Sequence, residues 1–216
     1  MNIVIIPGFI GHPEEIAFKY LDMQLTGEGH TVIKIAWPYF PDNLAKYSFT
    51  ETISYTQAIL KQIDMQDTVI LGFSMGGIIA CYLAREFPPK KLGLIVSPDQ
   101  VGSKIDLAGK YKDWKEKGYR EVTSSLYGNL SIPFSFVEDA KKYNTIKIIA
   151  DIRCPLLFIT GEKDDKNPPH TTAKLFEKAN EPKIWYDIPS MEHKYQYQSP
   201  EMLEKVNKLI IKFINN

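Results

Sequence analysis

The five residues Gly72-Phe73-Ser74-Met75-Gly76 carry the sharpest chemical signal in the chain. A serine hydroxyl becomes a useful nucleophile only when a base can reach it and the backbone holds it out for attack. Serine on a tight turn sits in a strained backbone, and its neighbours two positions away must lack bulk. Gly72 and Gly76 supply that room, and Gly77 lets the following helix pack closely. An apolar run, Thr68 to Leu71, precedes the motif and Gly77-Ile78-Ile79-Ala80 follows it, so Ser74 stands at a strand–turn–helix junction. That is the context a G-x-S-x-G nucleophile elbow requires. The helix that opens there points its N-terminus at the hydroxyl and favours negative charge developing beside it. Attack on an acyl carbonyl is the chemistry such a serine performs.

A nucleophilic serine needs a base and a group to orient the base. Four histidines are available, and two of them, His170 and His193, follow Ser74. His170 comes after Pro168-Pro169 at a helix start, where an exposed or capping residue is expected. His193 lies in the loop Ser190-Met191-Glu192-His193, and an unperturbed imidazole near pKa ~6.5 suits proton traffic at neutral pH. Carboxylates at turns after apolar runs are Asp164, its neighbour Asp165, and Asp99.

Apolar runs at Asn2 to Ile6, Thr31 to Ala36, Thr68 to Phe73, Leu92 to Ser97, Pro155 to Thr160 and Lys183 to Ile188 must position these groups. Short near-continuous runs of this kind suit strands covered on both faces. Amphipathic stretches at about 14–26, 51–64, 76–87, 169–179 and 200–214 alternate with them. In the last, Leu203, Val206, Leu209, Ile210 and Phe213 recur at helical spacing. Alternation predicts a single α/β domain over residues 1–216, with a doubly wound, mostly parallel sheet of about six strands. One interval breaks the rhythm. Residues of about 99–152 are too many for an ordinary connection. With helical patches near 108–120 and 136–150, they predict a short helical cap over the sheet edge where ligands bind.

Composition excludes several classes. Lys+Arg and Asp+Glu each number 26, giving a formal net charge of zero. Nucleic-acid and anionic-membrane binders carry a basic surplus, so neither partner is expected. The charged run Lys110 to Arg120 alternates in sign and reads as a solvated helix face. No window approaches the ~20 apolar residues of a membrane span, and the N-terminal stretch lacks the features of a secretory signal. Cys81 and Cys154 match no metal or redox spacing and read as core residues of a reducing compartment, so the expected location is cytoplasmic.

From end to end the chain resembles the α/β-hydrolases, most closely small carboxylesterases and monoglyceride-lipase-like acyl hydrolases. Relative to that family's eight-stranded sheet, it would begin at the third strand. The resemblance implies a Ser-acid-His triad in that chain order, with Ser74 as nucleophile. Its Gly-x-x-Asp turn falls on Asp164, and its late histidine on His193. Its oxyanion donors would be the amides of Met75 and of Phe9, the family's His-Gly-x reading here as Pro7-Gly8-Phe9. The departure at Pro7 leaves the amide donor intact. His12 could line the pocket, although a surface histidine is the more ordinary reading. Aromatics such as Trp114, Tyr119, Tyr127, Phe134 and Phe136 could line it or merely pack, and Trp37 to Phe40 could flank its entrance. The implied activity is hydrolysis of carboxylic esters of small or medium acyl substrates, with no organic cofactor and no metal. A thioesterase remains open, as does an aminopeptidase-like enzyme gripping an amine with Glu138 or Asp139, both reading as solvated helix residues. A perhydrolase or a non-catalytic ligand-binding scaffold is also open. The oligomeric state is not legible.

Overall fold

A computed structural model of the chain describes residues 1–101, 111–124 and 126–216. In chain order the elements are β1 (Asn2–Ile6), α1 (Ile16–Gly27), β2 (Thr31–Lys34), α2 (Phe49–Leu60), β3 (Thr68–Phe73), α3 (Met75–Glu86) and β4 (Lys91–Ile95). Then come α4 (Tyr111–Lys117), β5 (Tyr119–Ser124), β6 (Gly128–Pro133), α5 (Ser135–Ala140), β7 (Leu156–Gly161), α6 (Pro169–Lys178), β8 (Lys183–Ile188) and α7 (Pro200–Asn215). Six strands form one sheet in the order β2-β1-β3-β4-β7-β8, every neighbouring pair parallel.

Alternating side chains of each strand feed two cores. Val4 and Ile6 point to the layer holding α2, α3 and α6, with Phe49, Ile78 and Leu175. Ile3 and Ile5 point to the layer of α1 and α7, with Leu21, Val206 and Ile210. Central strands buried on both faces read as unbroken apolar runs for this reason. Helix starts follow local chemistry. Ser48 accepts from the Glu51 amide at 3.1 Å to open α2, and Ser199 accepts from the Met202 amide at 3.1 Å to open α7 behind Pro200.

After β1 the chain crosses to β2 on one side, then returns to β3 on the other. The crevice between the C-terminal ends of β1 and β3 is therefore the topological switch point, where ligands bind in such sheets. The loop after β1 and the turn after β3 meet there.

The interval between β4 and β7 differs from the expected helical pair. Its first helix ends at Lys117, because Gly118 turns the backbone to φ +77° and its N–H caps Trp114 O at 2.9 Å. An antiparallel hairpin, β5 paired with β6, follows instead of more helix. Only α5 and two single 3₁₀ turns occupy the expected patch at 136–150. The start of the first patch, residues 108–110, lies outside the described residues, as do 102–107 and 125.

Candidate active site

Ser74 has φ +50° and ψ −127°, a conformation L residues rarely adopt, and its amide is held by Ile95 O at 2.8 Å. The turn closes because nothing projects from its glycines. A Cβ on Gly72 would lie 2.4 Å from Gly77 Cα, and one on Gly76 2.3 Å from Ile6 O. The strain aims the hydroxyl at the crevice, where Ser74 Oγ lies 3.1 Å from His193 Nε2.

His193 stands in the loop between β8 and α7, which is tied to the end of β7. Met191 O accepts the Lys163 amide at 3.0 Å, and a Cβ on Gly161 would lie 2.2 Å from that same oxygen. His193 Nδ1 meets Asp164 Oδ2 at 2.9 Å. The other oxygen, Oδ1, accepts the amides of Lys166 at 2.9 Å and Asn167 at 2.8 Å. Asp164 is 3% exposed, so its charge faces these three donors rather than water. Asn167, which the sequence reading missed, is also buried; its side-chain amide donates to Val96 O and locks the acid loop to the end of β4. A lone asparagine in a charged turn gives no signal from which to find it.

Serine, imidazole and carboxylate thus form one hydrogen-bonded line. The rival acids stand apart from it. Asp165 is exposed and paired with Lys166 at 2.7 Å, and Asp99 offers its backbone carbonyl to Thr145. His170 is exposed on the first turn of α6.

The loop after β1 passes beside the hydroxyl. A Cβ on Gly8 would sit 3.0 Å from Ser74 Cβ. Trp37 Nε1 donates to Gly8 O at 2.9 Å, and Ile10 N donates to the Tyr47 hydroxyl at 2.8 Å, pinning the loop on both sides of Phe9. Among the described residues nothing accepts from the Phe9 amide or from that of Met75, the first residue of α3. Burial pushes the Tyr47 phenol far above its ordinary range, so it is neutral and Ile10 has an uncharged acceptor. Tyr47→Phe leaves that amide without its partner. Thermal melts should show a loss of about 1–3 kcal/mol, and turnover should fall as the loop loosens.

A cavity of about 710 Å³ opens over Ser74 and His193, within the range of small-molecule sites. Phe9, Trp114 and Phe136 form one wall, with Phe9 and Phe136 centroids 5.1 Å apart and Trp114 stacked on Phe136 at 6.4 Å. Arg120, Val122 and Ser124 of β5 also reach it, so the hairpin roofs the site. Trp37 is buried behind the loop instead of flanking the entrance.

Two expectations are overturned here. His12 is 8% exposed and lines the cavity, so it is no surface histidine. Asp139 is not solvated: it accepts from the Thr50 amide at 2.9 Å and the Thr50 hydroxyl at 2.5 Å and pairs with Lys142. Burial works against its charge, but these bonds outweigh it and hold the carboxyl below its ordinary pKa. It ties α5 to the first turn of α2 and is absent from the cavity lining, while Glu138 is exposed. Neither is placed to grip a substrate amine. Both cysteines are free and buried, and burial pushes their thiols up, Cys154 to about 11. Among the described residues no cluster of three His, Cys, Asp or Glu could hold a metal ion, and no helix is long and apolar enough to cross a membrane.

Comparison with known proteins follows the same line. A family model described as alpha/beta hydrolase fold matches residues 2–100. The mitochondrial palmitoyl-protein thioesterase ABHD10 of Rattus norvegicus is 21% identical over 203 residues, covering 85% of this chain and 65% of that protein. The chain spans less than two thirds of the length of the curated relatives it matches. Among solved structures, the esterase EaEST from Exiguobacterium antarcticum superposes with a TM-score of 0.79 at 16% identity, covering 100% of this chain and 92% of that one. The monoacylglycerol lipase of Paleococcus ferrophilus gives 0.78 at 18% identity, covering 99% and 93%. At such identities the likeness to solved structures is one of fold.

Proposed function

We propose that the chain, which has the α/β-hydrolase fold and matches that family model over residues 2–100, is a serine hydrolase that cleaves carboxylic esters of small or medium acyl substrates. The single observation that carries the reading is the unbroken line from Ser74 Oγ through His193 to Asp164, at 3.1 and 2.9 Å, opening on an aromatic-walled cavity.

In this mechanism His193 Nε2 takes the proton of Ser74 as Oγ attacks the acyl carbonyl. The oxyanion is met by the amides of Phe9 and Met75, donors that in such sites are worth about 3–4 kcal/mol each in the transition state. Collapse breaks the bond to the leaving oxygen, which takes the proton from His193. Water then gives a proton to His193, attacks the acyl-enzyme, and frees the acid and the serine. Asp164 holds the proton on Nδ1 and stabilises the imidazolium without itself being protonated.

The thioesterase name of the rat relative supports a second reading in which the scissile bond is a thioester. The same machinery serves both. The test is a fluorophosphonate probe with peptide mapping, run beside p-nitrophenyl esters from acetate to palmitate and the matching acyl thioesters. An adduct on Ser74, with turnover of either series, is the expected result. No adduct and no turnover would overturn the reading and leave a ligand-binding scaffold. The chain-length optimum sizes the acyl pocket.

A further inference from the structure

β4 lies between the strand that leads to the nucleophile and the strand that leads to the acid, and its end serves both. Toward β3, Ile95 O accepts the Ser74 amide at 2.8 Å. Val96 serves the other side. Its amide donates to Ile159 O of β7 at 2.8 Å, and its carbonyl accepts the side-chain amide of Asn167. Val96 does so at φ +45°, and a β-branched residue in the left-handed region is an outlier. It is buried, at 3% exposure. Strain of this kind persists only where neighbouring contacts over-determine it, and it collects at functional sites.

Beyond the strand ladder, three bonds tie the acid turn to the segment that carries the histidine. The Glu162 amide donates to Ile188 O at 3.1 Å, the Lys163 amide to Met191 O at 3.0 Å, and the Ser190 amide to Glu162 Oε2 at 3.0 Å. With the 2.9 Å contact of Asp164 and His193, they make acid and base one unit. None of them reaches the serine's side. The ladder between β4 and β7 stops at the pair Ile95 and Ile159, before the turn begins. Among the described residues, Asn167 makes the one hydrogen bond between the turn at 162–167 and the end of β4. Asn167 is 4% exposed, and its own amide holds Asp164 Oδ1 at 2.8 Å. One residue thus reaches the acid through its backbone and the serine's support through its side chain.

We propose that Asn167 is a positioning residue that sets the register of the acid–base unit against the nucleophile. Ile95 O and Val96 O are consecutive carbonyls on one stretch of backbone, the first fixing Ser74 and the second fixing Asn167. The separation of Ser74 Oγ and His193 Nε2 is therefore measured off the end of β4. Removing the side-chain amide takes from the buried Val96 carbonyl its donor on the acid turn and frees the acid–base unit to slide as a body. The bond at risk is then Ser74 to His193, while His193 to Asp164 travels intact. The effect on rate rests on the hydrolase reading; the register itself does not.

The test is Asn167→Leu, which keeps a branched side chain of similar size and removes its donor. Crystal structures of variant and wild type read the register. Ser74 Oγ and His193 Nε2 should separate beyond about 3.5 Å while the His193–Asp164 contact stays. With p-nitrophenyl butanoate, kcat per titrated active site should fall about tenfold to a hundredfold at unchanged KM, as a small misplacement of a reacting group predicts. Asn167→Ala removes the same donor and reads the same quantities should the leucine variant fail to fold. An unmoved Ser74–His193 separation, a broken His193–Asp164 contact, or a loss of thermal stability alone would overturn the proposal. So would a raised KM at unchanged kcat, the mark of a substrate contact, since Asn167 also lines the cavity. A wild type that neither hydrolyses esters nor labels with a fluorophosphonate, beside a variant whose register still opens, would sink the hydrolase reading alone. Wild-type turnover beside an unmoved register would sink the positioning role alone.

Discussion

Ser74→Ala should lower kcat for a p-nitrophenyl ester about a millionfold, with little change in KM. The substitution removes one oxygen from the centre of the line and nothing from the cavity walls, so ground-state binding is preserved. Alanine also tolerates the φ of +50° no worse than serine does, so the elbow keeps its shape. What remains is the contribution of the oxyanion donors and substrate binding, since His193 has no hydroxyl to activate. The measurement is a stopped assay at high protein concentration, with fluorophosphonate labelling in parallel. A variant that keeps most of its turnover, or that still labels, would mean that the acyl group is carried elsewhere.

Asp164→Asn should cost about 10⁴-fold in kcat while leaving the fold intact. The reason lies in the two amides that bind Oδ1. Lys166 and Asn167 both donate there, so an asparagine must turn its carbonyl oxygen toward them and its NH₂ toward His193. Nδ1 of His193 then becomes an acceptor, and the ring proton moves to Nε2, where it faces Ser74 Oγ. With a proton already on it, Nε2 has no lone pair to take the one from Ser74, and the substituted side chain has no charge to stabilise an imidazolium. Asp165→Asn serves as the contrast. That side chain is exposed and paired only with Lys166, so the rate should hold. If Asp165→Asn were the damaging change, the acid would have to be reassigned.

Much of the architecture was legible because the physics that sets it is local. The strands around Val4, Ile70 and Phe158 are buried on both faces and announce themselves as apolar runs. The elbow was legible as a glycine pattern around Ser74, although only Gly72 is required by a near neighbour, Gly77, while Gly76 is required by Ile6 on the adjacent strand. The roof was harder. In β5 and β6 the inward residues Val122, Leu130 and Ile132 alternate with polar ones, a strand signal diluted by the charged run before it. Gly118 was the mark that the helix stops, and its φ of +77° is what a glycine after a helix often provides. His12 and Asp139 were not legible as buried groups. Their environments are built by segments from distant parts of the chain, such as Thr50 against Asp139, and a single sequence carries no trace of that pairing.

Phe9 joins two roles that are usually held by different residues. Its ring belongs to the aromatic wall with Trp114 and Phe136, while its amide, the proposed oxyanion donor, has no hydrogen-bond acceptor among the described residues. A short backbone carries both, pinned at Gly8 and Ile10, so pressure on the ring is transmitted to the amide. Under the proposed mechanism, an acyl chain that fills the wall well would press the donor into register with the oxyanion, and one that fills it poorly would let the donor drift. Chain-length selectivity would then register in the speed of the chemical step more than in how tightly the ester is held.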